Sequence, residues 1–271
     1  MINRYKKFFI ILLLCSVSIA NAKLNTIVSV VPQKVFVEKI GGNKVSVTLM
    51  VKPGSSPHSY EPKPSQMKDI AKADIYFSIG VEFEKVWLTR FTNQNHNMKV
   101  IDLGYGVIKK NKDPHIWTSP KNVKIIANNI YNSLVKNDLK NKTYYKNNYD
   151  KFLKELDELD LAIKTILKDT PKDSKFMVFH PAWGYFARDY HLIQLPIEVD
   201  GKNPKPRDIV KLIIKAKQAK VKAILTAPEF SIKVATQIAK ELNIKVVPIS
   251  PLAKKWNDNM IFLAHVVSGN L

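Results

Sequence analysis

The segment TYYKNNYDKFLKELDELDLAIKTILKD, residues 143–169, decides the fold because it separates two similar halves of the chain. It contains no glycine or proline, and the next proline is Pro171. Its apolar positions follow the three- and four-residue spacing of an amphipathic helix. They are Phe152, Leu156, Leu159 and Ile163. The heptad pattern is too short to favour a coiled coil, so we predict one long linking helix over 141–170.

Short β-branched runs alternate with helical patterns on both sides of this helix. Before it they are NTIVSVVP (25–32), KVSVTLMV (44–51), DIYFSIG (74–80) and KVIDL (99–103). After it they are KFMVFH (175–180), LIQLPIEV (192–199), VKAILTAPE (221–229) and IKVVPIS (244–250). This alternation predicts an α/β protein of two lobes, each a mainly parallel sheet with flanking helices, joined by a long rigid helix. The predicted lobes cover 23–140 and 171–271.

The first 22 residues are typical of a secretory signal peptide. The basic segment MINRYKK is followed by the apolar run FFIILLLCSVSIA and by Ala20-Asn21-Ala22, a small-x-small cleavage site. We predict export to the periplasm and cleavage after Ala22, which also removes Cys15, the only cysteine. The alternatives are an uncleaved membrane anchor and a lipid on Cys15, although bulky Leu14 precedes that cysteine.

The charge is strongly basic, with 43 Lys and Arg residues against 23 Asp and Glu residues and a formal net charge of +20. A basic chain raises the question of nucleic acid or anionic lipid as a partner. The lysines are spread along the chain, and the sequence has no arginine-rich stripe or nucleic-acid-binding motif. We therefore expect a solvated lysine-rich surface and no nucleic-acid partner.

Three histidines occur beside prolines in comparable loops: His58 in PGSSPHSYEPKP (53–64), His115 in DPHIWTSP (113–120) and His180 in FHPAWGYF (179–186). Each is predicted at a strand end or a loop tip, where ligands gather in open α/β sheets. Their spacings match no local zinc-binding motif, and an isolated loop histidine is commonly just hydrogen-bonded. Structural or solvent roles are expected for the remaining histidines, which are His96, His191 and His265.

Four segments together resemble a known family. PHSYEPKPSQMKDIAKADIYFSIGVEFEKVW (57–87), DPHIWTSP, FHPAWGYFARDYHL (179–192) and ISPLAKKW (249–256) are similar, in this order, to signature segments of the metal-binding proteins of bacterial zinc and manganese ABC importers. The ZnuA-like zinc receptors are the most similar branch. The resemblance implies two lobes with a metal ion in the cleft, bound by His58, His115 and His180. It also implies a monomer that delivers the metal to an ABC permease.

The departures from the family pattern bear on the choice of metal. Manganese-selective members have a carboxylate where this chain has His180, and an Asp where it has Ser250. The segment GVIKKNKDPH (106–115) is short and basic, whereas many zinc members carry a histidine-rich loop there. Three imidazoles suit tetrahedral Zn²⁺, while Mn²⁺ prefers oxygen ligands. We therefore predict Zn²⁺ as the transported ligand, with a manganese receptor or adhesin of the same family as the alternative.

The sequence allows more than one fourth metal ligand and more than one class of protein. Water or a carboxylate could fill the fourth position, and Glu229 is one candidate. An exported zinc hydrolase is the rival from another class, because three histidines and a water also form a catalytic zinc site. Such an enzyme would need a general base, for which Glu61 and Glu229 are the candidates, and a substrate pocket. We predict a binding protein and not an enzyme.

Overall fold

The computed structural model describes residues 23–110, 113–198, 202–230 and 232–269. The predicted signal peptide and its cleavage site after Ala22 lie outside these residues. Among the helices of the described residues, none is both long enough and apolar enough to cross a membrane.

The first sheet has four parallel strands in the order β2-β1-β3-β4. Its strands are β1 (Leu24–Val28), β2 (Val45–Leu49), β3 (Ile75–Ser78) and β4 (Lys99–Asp102). The helices between them are α1 (Val31–Gly41), α2 (Pro64–Ile70) and α3 (Glu82–Gln94). All four residues of β3 are buried, as expected for a central strand covered on both faces.

The second sheet repeats this topology, with four parallel strands in the order β6-β5-β7-β8. Its strands are β5 (Lys175–Val178), β6 (Ile193–Pro196), β7 (Ala223–Thr226) and β8 (Lys245–Pro248). Its helices are α6 (Gly184–Asp189), α7 (Pro206–Gln218), α8 (Lys233–Leu242) and α9 (Trp256–Ser268). The predicted fold class of two parallel α/β lobes is therefore confirmed.

Two helices lie between the sheets along the chain: α4 (Pro120–Asn137) and the long helix α5 (Lys142–Ile166). The apolar positions predicted from the sequence of α5 are all buried, together with Tyr145. They pack against α1 and α4 of the first half and against α9 of the second. The long helix thus forms part of the core between the halves. The lobe boundaries at 140 and 171 stay a prediction.

The start of α4 follows the sequence signal of a capped helix. Pro120 occupies the first turn, where a missing N–H costs nothing, and the Ser119 hydroxyl accepts a hydrogen bond from the Asn122 backbone N–H at 3.0 Å. The same hydroxyl donates to Asp189 at the end of α6 in the second half. One serine therefore both caps α4 and joins the two halves.

Two tryptophans make further contacts between the halves. The indole N–H of Trp117 donates to the Pro251 carbonyl at 2.9 Å, and the indole N–H of Trp256 donates to the Trp117 carbonyl at 3.0 Å. Both rings are almost fully buried. These hydrogen bonds hold the loop that follows His115 against the loop that follows β8, so the carboxyl ends of the two sheets face each other.

Candidate metal centre

The three predicted histidines come from three different loops, each at the carboxyl end of a strand. His58 lies between β2 and α2, His115 lies between β4 and α4, and His180 lies between β5 and α6. We predicted His180 as the last residue of its strand, but β5 ends at Val178. Phe179 continues the backbone pairing through its N–H to the Leu225 carbonyl at 2.8 Å, and the chain then turns at Pro181.

The three imidazoles meet in the cleft between the two sheets. The Nε2 atom of His180 lies 3.2 Å from Nε2 of His58 and 3.3 Å from Nε2 of His115. One ring nitrogen from each of the three histidines lies within 4.8 Å of the others. His115 is buried, His180 is half-buried and His58 is the most exposed.

A carboxylate oxygen lies within 3.0 Å of the outer ring nitrogen of every one of these histidines. Nδ1 of His58 lies 3.0 Å from Glu82, Nδ1 of His115 lies 2.7 Å from Asp113, and Nδ1 of His180 lies 2.5 Å from Glu198. A carboxylate at Nδ1 favours the proton on that nitrogen and leaves Nε2 as an electron-pair donor. All three lone pairs then point towards one centre, an arrangement that suits a cation.

The carboxylates and burial change the pKa values of these groups in opposite directions. Contact with Glu82 raises the pKa of His58, against the smaller effect of burial. Burial tends to raise the pKa of Glu82, but its contact with His58 and the charges of His58 and His115 outweigh this effect and lower that pKa to about 2. Burial lowers the pKa of His180, which Glu198 offsets only in part. His180 therefore favours the neutral form that a metal ligand requires.

The cluster borders a small cavity of about 20 Å³, enough for roughly one water molecule. Its wall is mostly apolar and includes Trp117, Phe230 and Leu252. The Phe230 ring stacks on His180 with 4.5 Å between the ring centroids. The cavity therefore suits a single ion with a small additional ligand.

The two glutamates considered as general bases, Glu61 and Glu229, differ in their position relative to the histidine cluster. Glu61 is exposed. The loop around His58 is held by the side chain of Gln66. The Gln66 side chain accepts hydrogen bonds from the Tyr60 hydroxyl and the Lys63 N–H, and donates one to the Met50 carbonyl. Glu229, by contrast, lines the small cavity beside the histidines.

The remaining histidines are separate from the cluster of His58, His115 and His180. His96 and His191 are exposed, and His265 is half-buried in α9. Within the described ranges, the three clustered histidines form the one group of His, Cys, Asp and Glu side chains with metal-binding spacing.

The three carboxylates beside the histidines were not found from the sequence. Asp113 had a local signal, because it stands two residues before His115 in the quoted DPH motif. Glu82 and Glu198 had none, since each is far from its histidine along the chain. Glu82 begins α3 after β3, and Glu198 follows β6, so only the strand order brings them to the cluster.

The same order of segments is found in known proteins. The family model "ZnuA: Zinc-uptake complex component A periplasmic" matches residues 27–267. The chain belongs to this family. The ZnuA family consists of metal-binding receptors of ABC transporters, which bind and deliver metal ions and are not enzymes.

Individual relatives are named for different metals. A crystal structure of ZnuA superposes with a TM-score of 0.87, at 39% identity over 91% of this chain and 98% of that one. The high-affinity zinc uptake protein ZnuA of Bacillus subtilis is 29% identical, covering 92% of this chain and 86% of its own. The manganese ABC transporter lipoprotein PsaA of Streptococcus anginosus is 26% identical, covering 77% of this chain and 74% of its own. Family membership therefore establishes a metal receptor but leaves the metal undecided.

Proposed function

We propose that this protein is the periplasmic receptor of an ABC-type zinc importer. It captures one Zn²⁺ between its two lobes through Nε2 of His58, His115 and His180 and delivers the ion to a membrane permease. The spacing of the imidazole nitrogens carries this proposal. Tetrahedral coordination at Zn–N distances of about 2.0–2.1 Å separates the ligand nitrogens by about 3.3–3.4 Å. The two closest Nε2 pairs, at 3.2 and 3.3 Å, have this separation.

The electrostatics of the cluster support a cation at its centre. Three Nε2 lone pairs directed at one another repel, and the carboxylates at Nδ1 keep protons away from Nε2. A divalent ion relieves this repulsion. The carboxylates of Glu82, Asp113 and Glu198 also make the imidazoles more basic and supply negative charge close to the ion.

Zinc is favoured over manganese by the ligand atoms. Mn²⁺ prefers oxygen ligands, whereas imidazole suits Zn²⁺. Where the manganese members have two carboxylates, this chain presents His180 and Ser250. The relatives named for manganese keep a manganese receptor as the alternative assignment.

The proposed receptor acts in the periplasm and passes its ion to a membrane partner. A signal peptide at 1–22 would release a mature chain that begins at Lys23 and acts as a monomer in the periplasm. The receptor needs an ABC permease as its partner, in agreement with the uptake and transporter proteins among its relatives. Neither a nucleic acid nor an enzymatic substrate is part of this function.

A zinc hydrolase is disfavoured by the space beside the cluster. Hydrolysis needs room for a substrate next to the metal-bound water, and the cavity that touches all three histidines holds about 20 Å³. A space of this size suits the ion's own small ligand better than a substrate. The receptor function needs no more than that.

Metal binding by tag-free protein tests the proposal. Calorimetric titration should give one Zn²⁺ per chain, with Mn²⁺ binding more weakly in competition. His58→Ala, His115→Ala and His180→Ala should each weaken Zn²⁺ binding by at least about tenfold to a hundredfold, the range known for partners of metal ligands. His96→Ala, an exposed histidine outside the cluster, serves as the matched control. Wild-type affinity in all four variants would overturn the ligand assignment.

A further inference from the structure

Glu229 is a carboxylate near the histidines that contacts none of their Nδ1 atoms in the pairs described above. It lies in the loop after β7, at the carboxyl end of the second sheet, and lines the small cavity together with His58, His115 and His180. Its side chain is separate from the three carboxylates that hold the Nδ1 atoms. Glu229 therefore borders the same cavity as the three histidines, without being one of the carboxylates at Nδ1.

The two carboxylate oxygens of Glu229 have different surroundings. Oε1 accepts a hydrogen bond from the Ser250 hydroxyl at 3.0 Å, and the Ser250 oxygen in turn accepts one from the Leu252 N–H at 3.0 Å. Oε2 is buried and has no hydrogen-bond partner among the described residues. A buried carboxylate oxygen without a donor is costly, so this atom requires a donor that the protein itself does not provide.

The position of Ser250 explains how the carboxylate is held. Ser250 occupies the place where manganese-selective members have an Asp, but it is absent from the residues that line the cavity. Its hydroxyl is directed at Glu229 instead. A serine at position 250 thus positions a carboxylate supplied by the neighbouring strand end.

We propose that Glu229 completes the zinc site through a water molecule. The water occupies the fourth position of the Zn²⁺ and donates a hydrogen bond to Oε2 of Glu229, whose orientation Ser250 maintains. Glu229 is not within the 4.8 Å group formed by the three histidines, which favours contact through a water over direct ligation. The cavity of about 20 Å³ has room for that water. This inference rests on the proposed function.

If Glu229 holds the zinc-bound water, one substitution should weaken zinc binding without destabilising the metal-free protein. Glu229→Gln keeps the size of the side chain and an oxygen for the Ser250 hydroxyl, but it removes the negative charge. Zinc affinity should fall by about tenfold to a hundredfold, as for other groups that contact metal ligands. The metal-free protein should keep or raise its melting temperature, since the substitution removes the negative charge of a carboxylate whose Oε2 has no donor among the described residues.

The experiment compares Zn²⁺ affinity and metal-free stability in the full mature chain. Competition with a chromophoric chelator gives the affinity, and thermal unfolding in excess chelator gives the stability. Ser250→Ala should weaken Zn²⁺ binding less than Glu229→Gln, because it loosens the carboxylate and does not remove it. Glu241→Gln, an exposed acid in α8 of the same lobe, is the matched control and should leave both quantities unchanged.

A second readout uses Co²⁺ in place of Zn²⁺. The visible absorption of bound Co²⁺ reports the geometry of its ligands, and Glu229→Gln should change that spectrum while Glu241→Gln should not. Wild-type zinc affinity in Glu229→Gln, or a loss of metal-free stability with unchanged affinity, would overturn the role of Glu229. Failure of the wild-type protein to bind zinc, or full binding by His115→Ala, would instead overturn the proposed function.

Discussion

The two sheets share one strand order and differ in how well their helices cover them. In the first half, α1 and α4 pack with α5 into an extensive core that contains Phe36 and Phe152. In the second half, α7 has a single buried residue, Ala216, and exposes Val210 and Ile214. The shared strand order places the histidine loops at the carboxyl ends of both sheets. The burial of the helices determines how stable each lobe is.

The second lobe gains part of its support from the first. Its last helix, α9, packs on α5, and the Trp256 ring meets Phe36 of α1 edge-on with 5.1 Å between ring centroids. The buried cluster around Met177 and Ile224 is small by comparison and belongs to the second lobe alone. We therefore expect the outer layer of that lobe, α7 and α8, to contribute less to stability than the helices between the lobes.

The largest expected effect comes from breaking the shared core at Phe152. This ring is 1% exposed and lies 5.7 Å from the Phe36 ring, so Phe152→Ala removes contacts with both α1 and α5 neighbours. The free energy of unfolding of the metal-free protein should fall by about 3–5 kcal/mol. Urea denaturation monitored by circular dichroism measures it.

Two substitutions at exposed positions serve as controls for the comparison of the lobes. Leu161→Ala changes an exposed position of the same helix, and Ile214→Ala changes an exposed position of α7. Both should alter the free energy of unfolding by no more than about 0.5 kcal/mol. If Ile214→Ala cost as much as Phe152→Ala, the two lobes would be equally well covered and the comparison would be wrong.

A smaller effect is expected from the different pKa values of the histidines in the two lobes. The pKa of His58 is raised, mainly by Glu82, and that of His180 is lowered by burial, so in metal-free protein His58 should protonate first as the pH falls. On the proposed function, Zn²⁺ competes with these protons for the imidazoles. Its affinity should begin to fall once the pH drops through the raised pKa of His58, above about 6.5. Below that point each pH unit costs roughly 1.4 kcal/mol, a tenfold loss, for each proton displaced.

The order of titration can be followed by NMR of the two imidazoles. Glu82→Gln should lower the midpoint of His58 and leave that of His180 nearly unchanged, because Glu82 contacts only the first of them. Glu38→Gln, a change at an exposed acid of α1, is the control and should move neither midpoint. A midpoint for His180 above that of His58 would contradict the assignment.

The smallest effect concerns Ser119, where the lobes are joined by one hydroxyl. Ser119→Ala removes the cap of α4 and the hydrogen bond to Asp189, and should lower the free energy of unfolding by about 1 kcal/mol, within a range of about 0.5–2 kcal/mol. Urea denaturation again measures the change. Ser133→Ala, in the same helix, provides a strict comparison.

The Ser133 hydroxyl is buried without a hydrogen-bond partner in the described part of the chain. Removing it should therefore be neutral or slightly stabilising. Equal losses in both variants would mean that the Ser119 hydrogen bonds add nothing beyond the size of the side chain.

The sequence by itself predicted the alternation of strands and helices, though not their exact ends: the run 25–32 was predicted as a strand, whereas β1 ends at Val28 and α1 begins at Val31. Alternating β-branched runs predict short strands, and the apolar spacing from Phe152 to Ile163 predicts the long helix, because both signals are local. His58, His115 and His180 were found because prolines mark their loops and because these segments resemble those of a known family. Their assignment as zinc ligands stays a prediction for the titrations to test.

Only the tertiary structure decided which groups surround those histidines. Glu82 and Glu198 reach His58 and His180 because parallel strands bring their carboxyl ends to one edge, and no local pattern in the chain records which loops become neighbours. The same holds for Glu229, whose partner Ser250 comes from the next strand of the sheet. A local sequence pattern reports which groups a segment can offer, whereas distances between segments depend on strand order and on the packing of both lobes around α5.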